Sequence, residues 1–170
     1  MNANQLLVER LAKELLQRNA HIVTAESCTG GWIAKTLTDL QGSSGWFEYG
    51  YVSYGNNAKT DMLHIPADLI AAHGAVSRAV AEAMATGAIE ASGADFGLSV
   101  TGIAGPDGGS PEKPVGTVWF AFASGLKNTD NGQAVNSVCH HFDGDRDTIR
   151  RISVSTALSG MLEYLAKSGV

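Results

Sequence analysis

Three short apolar runs, separated by stretches of helical periodicity, constrain the fold of this chain more than any other feature. His21–Ala25, Phe47–Tyr54 and the alternating Phe96, Leu98 and Val100 read as strands. Helical segments fall between them: Trp32–Leu40, ended by Gln41–Gly42; a short helix capped by Asn56 or Asn57 and running through Leu63; one opened by Pro66 and closed by Gly74; and an Ala-rich helix that Ser77 caps and that stops near Gly93. Strands joined through helices favour parallel pairing. Val115–Ser124 and Ala134–Phe142 follow as two further strands, joined by a turn-forming stretch that includes Asn131–Gly132, and these predict an antiparallel hairpin. Leu6, Leu7, Leu11, Leu15 and Leu16 place a first helix over Asn4–Arg18, and Ile149, Ile152, Ala157, Leu158, Met161 and Leu165 place a last one. The expected fold class is therefore α/β, with a mixed, mostly parallel five-stranded sheet and helices on both faces. Its active site should lie where loops leave the strand ends.

At 170 residues the chain fits one domain, 1–170, and its 44% hydrophobic and 17% charged residues exclude disorder and coiled coil. A net charge of −5 argues against a broad nucleic-acid or membrane surface, either of which needs a basic patch, so neither partner is expected. Cys28 and Cys139 cannot form a disulfide framework, and neither they nor the five histidines show metal-ligand spacing; no metal and no cofactor is expected. Asn2–Asn19 carries Glu9, Arg10, Lys13 and Glu14, and reads as neither a signal peptide nor a membrane span. A cytoplasmic location is the default expectation.

Four segments carry candidate chemistry. In Thr24-Ala25-Glu26-Ser27-Cys28-Thr29-Gly30-Gly31 a strand runs into a tight turn before a helix, which can present Ser27 among free backbone N–H groups that stabilise an oxyanion or a phosphate. Gly30 and Gly31 let a ligand approach the backbone. The plain alternative is that Ser27 or Thr29 only caps the helix, and Cys28 is a rival nucleophile. In Tyr51–Lys59, Tyr54 ends a strand and Lys59 falls on the first turn of the next helix; a lysine and a tyrosine beside a serine can relay a proton without histidine. Such a lysine must be depressed from its ordinary pKa of about 10.4 by burial or a neighbouring cation, and otherwise is a surface charge.

Ser99–Gly109 places Gly102, Gly105, Gly108 and Gly109 directly after a strand, either as a ligand cradle or as a connector; it matches neither the P-loop nor the dinucleotide fingerprint. Asp143-Gly144-Asp145-Arg146-Asp147 suits a helix start, where Arg146 could clamp a phosphate or pair with its acidic neighbours.

Taken together, Thr-Ala-Glu-Ser-Cys-Thr-Gly-Gly, Tyr-Gly-Asn-Asn-Ala-Lys, His-Gly-Ala-Val-Ser, Thr-Gly-Ile-Ala-Gly-Pro-Asp-Gly-Gly and Lys-Pro-Val-Gly-Thr-Val resemble the CinA C-terminal-domain family over about residues 5 to 165, and more closely its stand-alone members. The resemblance implies a three-layer α/β/α fold and a homodimer that acts on a small nucleotide, hydrolysing nicotinamide mononucleotide to nicotinate mononucleotide and ammonia, a step in pyridine nucleotide recycling. It further implies Ser27 as nucleophile, Tyr54 and Lys59 as its activating and proton-shuttling partners, Thr29, Gly30, Gly31, Thr101 and Gly102 around the substrate, and Arg146 near the phosphate. A nucleotide-binding module without catalysis and a cysteine amidase using Cys28 are the competing readings.

Overall fold

The computed structural model describes residues 3–125 and 134–168. In chain order the elements are α1 (Ala3–Gln17), β1 (Ile22–Glu26), α2 (Trp32–Thr38), a short 3-10 turn (Ser43–Gly45), β2 (Phe47–Val52), α3 (Asn56–Leu63), α4 (Ala67–His73), α5 (Arg78–Ser92), β3 (Phe96–Gly102), β4 (Thr117–Ser124), β5 (Val135–His141) and α6 (Arg146–Lys167).

The strands form one sheet in the order β2-β1-β3-β4-β5. β1 pairs parallel with both β2 and β3, whereas β4 runs antiparallel to β3 and β5. Four strands thus point one way and only β4 opposes them. The hairpin expected over the last two strands is present; its Asn131–Gly132 turn lies outside the described residues. β1 is buried at every position, as a strand covered on both faces must be, while the edge strands β2 and β5 keep exposed positions.

Two apolar layers cover the sheet. Leu11 and Leu15 of α1, Ile33 and Leu37 of α2, and Leu158 and Met161 of α6 pack with Ile22, Leu98 and Phe120 on one face. Leu63 of α3, Ile70 of α4, and Val80, Met84 and Ala88 of α5 pack with Val23, Ala25 and Ala121 on the other. This is the three-layer α/β/α arrangement. Ser77 caps α5 as its position indicated, accepting the Val80 N–H at 3.3 Å.

Two departures from the sequence reading bear on the site, each for a local reason. β2 stops at Val52 rather than Tyr54, because the Ser53 and Tyr54 carbonyls turn away to bond a lysine. Neither Asn56 nor Asn57 caps α3; Gly55 holds that place in an extended conformation, and both asparagines lie within the first turn. α6 begins at Arg146, within the acidic run that suited a helix start, and Asp145 caps it by accepting the Thr148 N–H at 2.8 Å.

Close approach of α5 to α3 also positions the site. A Cβ on Gly87 would collide with the Leu63 carbonyl at the end of α3. Gly87→Ala should therefore push α3 outward and lower stability by about 1–3 kcal/mol. Denaturant titration checks this; an unchanged midpoint would show that the two helices separate without cost.

Candidate active site

The parallel strands β1, β2 and β3 all end at one edge of the sheet, and the residues that follow or close them converge there. Ser27 follows β1, Ser53 and Tyr54 follow β2, and Thr101 and Gly102 close β3. Ser27, Tyr54, Thr101 and Gly102 border a cleft of about 230 Å³ whose lining also includes Cys28, Lys59, Ala75, Val76, Ala104 and Arg146.

Its centre is a contact between two side chains 32 residues apart. Lys59 Nζ lies 3.1 Å from Ser27 Oγ and donates to the Ser53 and Tyr54 carbonyls at 2.8 and 2.9 Å. Lys59 is 0% exposed although it sits on the first turn of a helix. Burial pushes its pKa down from 10.5 to about 8. A neutral amine suits these partners: its two N–H bonds satisfy the two carbonyls and its lone pair is left for the Ser27 hydroxyl. Once protonated, it donates its third N–H to Ser27 Oγ, and the serine hydroxyl can turn to the Tyr54 carbonyl, 3.3 Å away. The contact can therefore pass a proton without moving either residue.

Tyr54 meets this pair through its backbone. Its phenol is exposed, lines the cleft and accepts from Arg146 Nη2 at 3.2 Å. Arg146 Nη1 donates to the Gly105 carbonyl at 2.8 Å. Arg146 thus spans the cleft mouth from α6 to the β2–α3 loop, instead of pairing with the acidic residues beside it. Of the glycine-rich loop, Gly102 and Ala104 line the cleft. Gly108 and Gly109 take positive φ farther on, where Ser110 and Lys113 close a turn.

In the Ser27–Gly31 turn the Thr29 side chain is turned inward, contrary to the expectation that it faces substrate, which leaves only its backbone N–H for that role. Thr29 is fully buried, and its hydroxyl donates to Glu26 Oε2 at 2.6 Å. Gly30 lies against Arg150 and Gly31 against Val52. Neither Ser27 nor Thr29 caps α2. The buried Glu26 carboxylate does that work, accepting the Ile33 and Ala34 N–H groups at 3.0 and 2.8 Å, where the helix dipole favours an anion. Arg150 holds the turn from the other side, donating to the Cys28 and Thr29 carbonyls at 3.0 and 3.1 Å. Sequence reasoning assigned no role to Glu26 or Arg150. The available signal for Arg150 was its spacing of four from Arg146, which puts both on one helix face.

Cys28 borders the cleft but is a poor nucleophile. Burial raises its thiol to about 12, so it remains protonated near neutrality. The described residues contain no group of three or more His, Cys, Asp or Glu able to hold a metal. A larger groove of about 680 Å³ lies between β5 and α6, but its His140, Glu163 and Lys167 are all exposed and it has no contact with the Ser27 turn.

Fold and cleft together define a three-layer α/β/α protein with a serine–lysine contact at the carboxyl ends of its parallel strands. The sequence pattern of the CinA C-terminal domain matches residues 4–165, and the chain belongs to that family. It is 52% identical over 163 residues to the nicotinamide-nucleotide amidohydrolase PncC of Escherichia coli K12, covering 95% of this chain and 94% of that one. A CinA-like protein of Citrifermentans bemidjiense is 53% identical over 157 residues, which are 92% of this chain and 36% of that longer protein. Among solved structures, the competence damage-inducible protein A of Klebsiella pneumoniae superposes with a TM-score of 0.90 at 34% identity, covering 98% of this chain and 99% of that one. The described residues contain no helix long and apolar enough to cross a membrane.

The two cysteines should separate chemically. At pH 8, iodoacetamide should alkylate exposed Cys139 and spare buried Cys28 in the folded protein, as read by peptide mass spectrometry. Cys28→Ser should retain most activity. Rapid labelling of Cys28 would contradict its burial and reopen the cysteine mechanism.

Proposed function

We propose that this chain hydrolyses the carboxamide of nicotinamide mononucleotide to nicotinate mononucleotide and ammonia, with Ser27 as nucleophile and Lys59 as its base. The observation that carries the reading is the buried Lys59 amine, 3.1 Å from the Ser27 hydroxyl at the cleft. The near-full-length relatives named as nicotinamide-nucleotide amidohydrolases support the substrate.

In this mechanism Lys59 takes the hydroxyl proton as Ser27 Oγ bonds to the amide carbon. The developing oxyanion is received by backbone N–H groups of the Cys28–Thr29 turn. Lys59 then gives its proton to the amide nitrogen, the C–N bond breaks, and ammonia leaves. Water attacks the resulting ester with Lys59 again as base, and Ser27 departs with the proton returned. The cleft is smaller than cavities that enclose a whole ligand, about 300–1,000 Å³, so it takes the carboxamide ring and leaves the ribose phosphate at the mouth beside Arg146. Tyr54 serves here mainly through its carbonyl, and its phenol orients Arg146. The two unpaired thiols suit a reducing, cytoplasmic setting.

Purified protein should release ammonia from the mononucleotide, and Ser27→Ala should abolish turnover while still binding product. Arg146→Ala should raise KM for the mononucleotide far more than for its riboside. Binding without ammonia release would instead mark a nucleotide-binding module, and equal effects on both substrates would remove Arg146 from the phosphate.

The acid–base assignment has a definite sign. The base must be neutral, so the rate should climb with pH and level off above about 8. Lys59→Met should lose on the order of 10²-fold in kcat along with that limb. Stability is linked in the same direction. Between about 8 and 10.5 the unfolded chain binds a proton that the folded chain does not, so wild-type stability should rise through that window. In Lys59→Met this rise should vanish. A flat rate profile with normal kcat in Lys59→Met would leave Ser27 without its base.

A further inference from the structure

The carbonyl groups of the Ser27–Thr29 turn are all engaged. The Ser27 carbonyl accepts the Gly30 N–H at 3.0 Å, and the Thr29 carbonyl accepts the Trp32 N–H at 3.1 Å. Arg150 reaches across from α6, donating from Nε to the Cys28 carbonyl at 3.0 Å and from Nη2 to the Thr29 carbonyl at 3.1 Å. Its guanidinium carbon stands 5.4 Å from the centre of the Trp32 ring, which fixes the plane of the fork. A Cβ on Gly30 would sit in contact with the fork, 3.4 Å from Arg150 Nη2, and at its φ of +60° a side chain would be strained.

Within a trans peptide the C=O and N–H point in opposite directions. Binding the Cys28 carbonyl toward α6 therefore turns the Thr29 N–H away from α6. Binding the Ser27 carbonyl within the turn likewise sets the Cys28 N–H. These two N–H groups have no oxygen acceptor among the described residues, although Ser27 and Gly30 N–H are both satisfied. The Cys28 N–H meets only its own thiol, a weak acceptor that an oxyanion can displace. Two such donors beside a nucleophile are what an oxyanion requires, provided that their peptide planes are held before the reaction begins.

We propose that Arg150 is the positioning residue of the oxyanion site: braced by Trp32, its bond to the Cys28 carbonyl sets the Thr29 N–H, and its bond to the Thr29 carbonyl fixes the Gly30 peptide, whose N–H holds the Ser27 carbonyl and through it the Cys28 N–H. Arg150 touches no reacting atom and acts through the turn. Loss of the fork therefore lowers the rate of every step that forms an oxyanion, and leaves substrate affinity nearly intact. The inference rests on Ser27 being the nucleophile, as proposed above.

A fluorophosphonate tests it independently of the natural substrate. Ser27 Oγ bonds to phosphorus, fluoride leaves, the hydroxyl proton passes to Lys59, and the phosphoryl oxygen takes the place of the oxyanion. Arg150→Met should label about 10²-fold more slowly than wild type. Its kcat for the mononucleotide should fall similarly, with KM and product Kd within about threefold, on the order of the scatter of a uniform binding change. Arg150→Lys keeps the charge but not the planar fork, and should fall between the two; it also serves if Arg150→Met folds poorly. Equal labelling of wild type and either variant overturns the inference, as does a fall in kcat matched by an equal loss of product binding. Wild type that labels but releases no ammonia sinks the proposed substrate alone. Wild type that neither labels nor turns over sinks both proposals.

Discussion

Lys59 is held out of water with two backbone carbonyls and one serine hydroxyl for partners, and the rest of the cleft depends on that arrangement. Taking a lysine from solvent disfavours its ammonium form, and the protein accepts this cost on the first turn of α3, a position where the side chain would ordinarily remain wet. Several structural features follow from the need to reach that buried place. β2 ends early so that the Ser53 and Tyr54 carbonyls are free of the sheet. α3 starts immediately afterwards, which brings Lys59 back beneath those carbonyls. α5 carries glycine where the end of α3 crosses it, so the helix bearing the lysine packs directly on its neighbour.

The serine side is built by a different means. Ser27 stands at the end of the inner strand β1, with its N–H bonded to the Val100 carbonyl of β3 at 3.0 Å, so its backbone is an extension of the sheet. The four residues after it have no regular structure of their own. They are held by charges of opposite sign on opposite sides: the Glu26 carboxylate beneath, bonded to the start of α2, and the Arg150 guanidinium above, bonded to the carbonyls. A turn rich in small residues cannot pack itself into one conformation, and here packing is replaced by directional bonds to ionised groups, which are stronger than neutral ones.

The sheet, its hairpin and the helix on each side were legible in the chain because apolar periodicity is a local property that survives folding. The pairing of Ser27 with Lys59 was legible as chemistry, through residue type and position at strand ends, whereas the 3.1 Å contact depends on how α3 packs on α5 and could not be read locally. Thr29 shows the limit of motif reasoning. A threonine beside a serine and two glycines looked like a ligand contact, but the neighbouring Glu26 was the stronger hydrogen-bond acceptor and drew it inward. Arg150 was hidden for the opposite reason: it lies 122 residues from the carbonyl it holds, on a helix whose sequence pattern reports only its buried face. Asn56 and Asn57 misled because good capping residues also serve as first-turn residues once glycine supplies the extended backbone.

Ser27 and Cys28 are consecutive, and the thiol is intrinsically the better nucleophile, so their local environment has to make the choice. The same desolvation acts on both Lys59 and Cys28 with opposite chemical results. For the amine, burial favours the neutral form, which is the form that accepts a proton; for the thiol, it favours the neutral form, which does not attack. A wetter cleft would return Lys59 toward 10.5 and Cys28 toward 9.0, weakening the base and easing formation of the thiolate. Glu26 strengthens the bias, since a carboxylate near Cys28 further disfavours a thiolate there. In the proposed mechanism, low local polarity is thus the property that favours serine over cysteine at this turn, and it comes from the close packing of α3, β1 and β2 around the cleft rather than from either side chain alone.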